Sequence, residues 1–347
     1  MRSTENSGAI DKKTVEASAP YAAWRLCVAP MVDWTDRHCR VFHRLMSRHA
    51  LLYTEMLHAN AVLHGDPARI LAYDPSEHPV ALQLGGSDPE LLAAATKRVN
   101  DWGYDEVNLN VGCPSERVQS GSFGACLMRE PALVAECVAA MVEAGKVPVT
   151  VKCRIGVDDQ EPREVLFDFA QRMRQAGAKA LIVHARKAWL KGLNPKENRE
   201  IPPLDYPLVH ELKRLHGDWP IVINGGIADA ESVRTQLQHM DGVMIGRAAY
   251  HDPYFLHRLD RVLFEPESPL RSRSELLRAM QPYVEAQLAE GVQLKHIVRH
   301  VLGLFHGEPG GRAFRQVLSE GAHRKDADWR LVERALDAVQ SHQARAA

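Results

Sequence analysis

Ile221-Val222-Ile223-Asn224-Gly225-Gly226-Ile227 and, a helix-length further on, Gly242-Val243-Met244-Ile245-Gly246-Arg247-Ala248 decide how this chain folds. Each is a short apolar, β-branched run that stops at a glycine turn. Unbroken apolar runs, rather than alternating ones, suit strands buried on both faces. Six more lie upstream: Leu26–Ala29, Leu51–Glu55, Val80–Leu84, Glu106–Asn110, Val149–Cys153 and Ala180–His184. Helical patterns follow most of them. Asp88-Pro89-Glu90 opens one with a capping residue, an N1 proline and an acidic first turn, and Ala176-Gly177-Ala178 closes another. Eight strand–helix repeats predict an α/β fold of the (β/α)8 TIM-barrel type. The rival, a doubly wound open sheet, carries its glycine-rich phosphate loop after the first strand. Here the first strand ends in Ala29-Pro30-Met31, and the glycine turns follow strands seven and eight.

Beyond residue 260 the strand runs stop. Glu265-Pro266-Glu267-Ser268-Pro269 reads as a linker, and helical patterns cover 272–290, 293–306, 310–321 and 328–342. The expected organisation is a disordered tail over 1–22, a barrel over 23–262 and a small all-helical C-terminal domain over 270–342.

Composition narrows the class. The 347 residues are 45% hydrophobic and 25% charged, and 43 Lys+Arg balance 44 Asp+Glu. No global field points to a polyanion, although a local patch can still hold one. Six cysteines without a C-x-x-C pair read as reduced thiols in a cytoplasmic protein. No apolar run approaches the ~20 residues of a membrane span, and the polar first 20 residues lack the apolar core of a signal peptide. No membrane and no metal is expected, and a monomer is the default. His296 and His300, four apart, could mimic a metal pair but lack a third ligand, and are read as surface histidines.

In a barrel of this kind the C-terminal strand ends build the active site. Here they carry Pro30-Met31, Glu55, Gln83, Asn108 and Asn110, Lys152-Cys153-Arg154, His184, Asn224-Gly225-Gly226 and Gly246-Arg247. One polar strand end is usually a satisfied core group; this many on one rim form a candidate site. The glycine turns after strands seven and eight expose main-chain N–H groups to an anion, and Arg247 adds charge-assisted donors. Two tight βα turns that merely need glycine are the alternative, and the position favours phosphate. With Lys152 and His184 mid-rim and Gln83 opposite, the set suits a flat phosphorylated cofactor. Gln83 offers the donor and acceptor that a flavin pyrimidine edge requires, Lys152 a cation for the reduced ring, and Pro30-Met31 an apolar platform. No dinucleotide fingerprint precedes these residues. Cys113 follows strand four on the turn Asn110-Val111-Gly112-Cys113-Pro114-Ser115. It is either a small residue closing a loop or a thiol meeting a ligand. With a reference pKa of about 8.5 it would be a proton donor rather than a nucleophile.

Together, Ala29-Pro30-Met31-Val32-Asp33-Trp34-Thr35-Asp36-Arg37, Gln83-Leu84-Gly85-Gly86, Asn108–Ser115, Gly121–Met128, Val151–Gly156, His184-Ala185-Arg186 and Asn224–Ile227 resemble the flavin-dependent tRNA-dihydrouridine synthases, most nearly the bacterial A-type subfamily. The resemblance spans roughly 25–325. It implies FMN held by Pro30, Met31, Val32, Gln83, Lys152, His184, Asn224, Gly225, Gly226, Gly246 and Arg247, and NADPH as reductant. It implies Cys113 as the acid that protonates C5 of a D-loop uridine after hydride reaches C6, at tRNA positions 20 and 20a. A neutral thiol suits that task where a carboxylate would already be ionised. Asn110 could then bond the uracil edge, and Lys152 or Arg154 its carbonyl charge.

Two local basic segments answer the charge balance: 184–200, and 295–325, where Arg312 and Arg315 lie three apart on a predicted helix. Lys196, Arg312 and Arg315 are the expected tRNA phosphate contacts. Two rival functions remain: a flavin enzyme acting on a free pyrimidine, as dihydroorotate dehydrogenases do, and a tRNA-binding factor with secondary flavin chemistry.

Overall fold

The computed structural model describes residues 22–346; the expected tail over 1–22, apart from Ala22, lies outside the described residues. Eight parallel strands close into a barrel in chain order. They are β1 (Leu26–Val28), β2 (Leu51–His58), β3 (Val80–Gly85), β4 (Glu106–Val111), β5 (Val149–Arg154), β6 (Leu181–His184), β7 (Ile221–Asn224) and β8 (Gly242–Ile245). The expected bounds hold to within a residue except at β2, which runs on past Glu55 to His58. There the pairing with β3 shifts register between Tyr53 and Met56, and this irregularity carries the strand past the end of its apolar run.

Strand alternation sorts the side chains. Cys27, Ala29, Leu51, Tyr53, Ala81, Ile182, Val222 and Met244 form one buried cluster inside the barrel, while Leu26, Val28, Leu52, Leu82, Val107 and Val151 pack outward against the helices. The inward series continues up each strand to the C-terminal rim, where it ends in Gln83, Asn110, Arg154, His184, Asn224 and Gly246. Parity alone therefore brings these polar residues together.

The helices begin and end where the sequence signals stand. Asp88 caps Pro89–Val99, accepting from the Glu90 and Leu91 amides, and Gly177, at φ +93°, stops Pro162–Gln175. The C-terminal helices are Arg273–Arg278, Gln281–Ala289, Leu294–Val298, Gly311–Gly321 and Trp329–Ala346. The pattern expected over 293–306 is α-helical only to Val298. Beyond it, three-residue turns bond Leu304 N–H to the Val301 carbonyl and His306 N–H to that of Gly303.

That change of winding corrects the reading of His300, which is 1% exposed rather than a surface histidine. Its Nε2 lies 3.0 Å from Asp36 Oδ2, and Arg299 donates to the same oxygen at 2.7 Å. Asp36 also caps the helix Arg37–Met46 through the Cys39 amide. Burial alone would raise its carboxyl pKa, but His300, Cys39 and Arg299 overcome this and hold it well below the usual carboxylate range. The helical segment is thus fastened to the loop after β1. Among the described residues no helix is long and apolar enough to cross a membrane.

Barrel closure pairs β1 with β8, Leu26 opposite Val243 and Val28 opposite Ile245. At this seam a Cβ on Gly242 would stand 1.8 Å from the Trp24 carbonyl oxygen. Gly242→Ala should therefore destabilise the protein by about 3 kcal/mol, the cost of overpacking against backbone that cannot yield. An unchanged urea midpoint would contradict this.

Candidate active site

The rim surrounds a cavity of about 850 Å³, within the size range of small-molecule sites. Its lining includes Pro30, Met31, Val32, Gln83, Asn110, Cys113, Lys152, Arg154, His184, Asn224, Gly225, Gly226, Gly246 and Arg247. Every residue expected to hold the cofactor is there, and so is Cys113. Lys196, Arg312 and Arg315 stand outside it as exposed cations. The two arginines share the first turns of Gly311–Gly321 and have no ion-pair partner among the described residues.

At the β7–β8 end, Gly225 and Gly226 adopt φ of +109° and +71°, which favours glycine. A Cβ on Gly225 would lie 2.5 Å from the His184 ring, so the turn and the imidazole fit only because the side chain is missing. The backbone N–H groups of Gly226, Ile227, Gly246 and Arg247 have no protein acceptor among the described residues. Arg247 reaches Glu200 on the loop after β6 at 2.5 Å. Burial, then the charge of Arg247, lowers the pKa of Arg199, which also lines the cavity. Unspent amides beside clustered guanidinium groups are the donor set of an anion site. Asn224 serves it indirectly: its amide donates to the Met244 carbonyl at 2.8 Å and ties the two turns together.

Mid-rim, the Lys152 ammonium has no hydrogen-bond partner among the described residues, and burial, followed by repulsion from Arg154, lowers its pKa to about 8. Burial and the surrounding cations drive His184 well below its ordinary value, so the imidazole is neutral. At the far side, the Gln83 amide accepts from Asn110 Nδ2 at 2.8 Å and donates to Asn108 Oδ1 at 2.7 Å. One N–H and one lone pair of Gln83 remain for a ligand.

Cys113 is half-buried, its Sγ 3.5 Å from Ser115 Oγ. Asn110 Oδ1 accepts from the Gly112 and Cys113 amides at 3.1 and 3.0 Å. Asn110 thus builds the turn that presents the thiol, and only one N–H of its amide is uncommitted. Arg154 is likewise a fastening: 3% exposed, it donates to the carbonyls of Gly112, Lys187 and Asn198. Gln119 donates to the Pro114 and Leu190 carbonyls and bridges the same two loops. The β6 loop folds around buried Asn198, which bonds both the amide and the carbonyl of Trp189. Sequence reading placed no weight on Gln119 or Asn198, counted Arg199 only within the basic segment 184–200, and met Trp34 only in the string that carries the resemblance; Trp34 stacks on Tyr250 at 4.4 Å and lines the cavity. A polar side chain inside a loop gives no periodic signal, so only the folded contacts distinguish these.

Away from the rim, His49, Asp260 and Glu265 converge within 4.8 Å. The two ring nitrogens of His49 face different carboxylates, Nδ1 towards Asp260 and Nε2 towards Glu265.

Arg154→Met removes a buried cation bonded to three carbonyls. It should cost about 3 kcal/mol of stability and expose the 186–200 loop to protease; a variant with native melting and native proteolysis would contradict this role.

Comparison with known proteins establishes the family. The family model described as dihydrouridine synthase (Dus) matches residues 27–341. The tRNA-dihydrouridine(20/20a) synthase of Xanthomonas axonopodis pv. citri (strain 306) is 65% identical over 317 residues, covering 91% of this chain and 94% of its own. That of Escherichia coli O6:H1 (strain CFT073) is 54% identical, covering 93% and 98%. Among solved structures, a 2-naphthoyl-CoA reductase complex shares the fold alone, with a TM-score of 0.52 at 10% identity over 69% of this chain and 49% of that one. The chain belongs to the dihydrouridine synthase family.

Proposed function

We propose that this chain reduces uridine to 5,6-dihydrouridine in the D-loop of tRNA, at positions 20 and 20a, with FMN as its bound flavin and NADPH as reductant. The observation that carries the reading is the rim itself: a thiol and an unpartnered ammonium share one cavity with two glycine turns whose amides are unspent. The relatives' shared name supplies the target nucleotide.

The residues present suit FMN. The Gly226, Ile227, Gly246 and Arg247 amides and the Arg247 guanidinium would take the phosphate, with His184 beside them. Gln83 would meet the pyrimidine edge, Lys152 would face the charge of the reduced ring, and Pro30 to Val32 would lie against its apolar part. When bound, the reduced flavin supplies the hydride that adds at C6 of uracil. Negative charge then develops across C5 and O4 of the base. Cys113 gives its thiol proton to C5: the S–H bond breaks, a C–H bond forms, and a thiolate remains. Lys152 and Arg199, facing the same cavity, offset that charge until solvent at the mouth restores the proton. The base must leave the stack to reach this depth. Lys196, Arg312 and Arg315 would neutralise backbone phosphates outside. A free-pyrimidine reductase would leave the last two without a task.

The test is reconstitution and turnover. The protein should bind FMN, turn yellow, bleach under anaerobic NADPH and form dihydrouridine in unmodified tRNA. Cys113→Ala should keep FMN and tRNA binding and lose turnover by 100-fold or more, within the usual reach of a positioned acid. A colourless protein that takes up no FMN, or full turnover by the variant, would overturn the assignment.

Lys152 adds a pH signature. In the free site its pKa of about 8 means that the ammonium is present below that pH and lost above it. Affinity for reduced, anionic flavin should therefore weaken as pH rises past 8, and Lys152→Met should bind reduced flavin more weakly without that dependence. The same slope in both proteins would contradict the role.

A further inference from the structure

A chain of buried amides links the Cys113 turn to a carboxylate deep in the barrel. It starts at the Gly112 and Cys113 N–H groups, which can only donate. Asn110 Oδ1 accepts them, and Asn110 Nδ2 donates to Gln83 Oε1 at 2.8 Å. Gln83 Nε2 donates to Asn108 Oδ1 at 2.7 Å, and Asn108 Nδ2 to Thr150 Oγ1 at 2.8 Å. The Thr150 hydroxyl donates to Glu106 Oε1, which also takes Tyr53 OH at 2.7 Å, while Trp24 Nε1 donates to Oε2 at 2.6 Å. From Asn110 to Glu106 every side chain of the chain is buried, Asn108 and Thr150 completely so.

The polarity of this chain is not free. Each amide has one donating and one accepting end. The backbone N–H groups fix Asn110, Asn110 fixes Gln83, and Gln83 fixes Asn108. Thr150, receiving from Asn108, turns its own proton down to Glu106. Trp24 Nε1–H can only donate, so the far end must be an acceptor. Reversing the Gln83 amide would set donor against donor at Asn110 and acceptor against acceptor at Asn108.

We propose that Glu106 and Thr150 are positioning residues for the candidate active site: they close a head-to-tail relay that holds the Gln83 amide in one orientation towards the cofactor and steadies the turn carrying Cys113. Neither residue touches the cavity. The inference rests on the flavin reading of the rim.

Thr150→Val keeps the shape but leaves Asn108 Nδ2 without an acceptor, freeing Asn108 and then Gln83 to rotate. FMN binding to the apoprotein, followed by quenching of flavin fluorescence, should weaken at least tenfold, and the visible band of the bound flavin should shift. Thr150→Ser, which restores the hydroxyl, should recover both. Glu106→Gln, which sets an amide against three donors, should act like Thr150→Val and serves in its place should that variant not fold. A purely structural role would lower the melting temperature yet leave affinity and spectrum untouched in the folded protein, and that result would overturn the proposal. Failure of the wild-type protein to bind FMN would instead overturn the flavin reading on which it rests.

Discussion

The seam between β1 and β8 turns a row of strands into a ring. Once Leu26, Cys27 and Val28 pair with Val243, Met244 and Ile245, every strand ends on one rim, and alternation decides which residues face inward there. Gly242 permits the seam because the Trp24 backbone occupies the space a side chain would need. An open sheet with the same strands would carry Gln83 and Gly246 far apart. Closure places an amide, an ammonium, an imidazole and two glycine turns around one cavity.

The rim is held by two kinds of support. Below it, the amide chain ending at Glu106 runs through the barrel interior, where an unmade hydrogen bond costs most. Beside it, Arg154, Gln119 and Asn198 lock the loops after β4 and β6 together through backbone carbonyls. Asp36, gripped by Arg299 and His300, extends the support to the helical segment. The thiol is thereby presented on a turn fixed from below by Asn110 and from the side by Arg154 and Gln119, which suits a proton donor whose task is geometric. Lys152 and the glycine turns line the cavity, and their donors are unspent among the described residues.

Much of this was legible in the sequence. Eight apolar runs gave the strands because burial on both faces leaves no alternation to confuse them, and the strand-end residues followed from where each run stops. The specific motifs around Cys113 and Asp36 pointed to the family. Besides the loop residues Gln119 and Asn198, three things were not legible. The β2 extension depends on a pairing irregularity. His300 has the spacing of a surface pair, yet a local change in winding carries it inward to Asp36. Asn110 and Arg154, read as ligands for a base, spend most of their polar atoms on the loops that carry Cys113, because a residue type at a strand end does not reveal which backbone groups will lie beside it.

The central claim, that this rim delivers hydride and a thiol proton to a uridine presented by tRNA, is tested most directly by anaerobic single turnover. Protein loaded with FMN and reduced by one equivalent of NADPH is mixed with unmodified tRNA or with free uridine, and flavin absorbance is followed. The account predicts reoxidation with tRNA at one dihydrouridine per flavin and none with uridine. Equal reoxidation by both, or reoxidation without dihydrouridine, would contradict it.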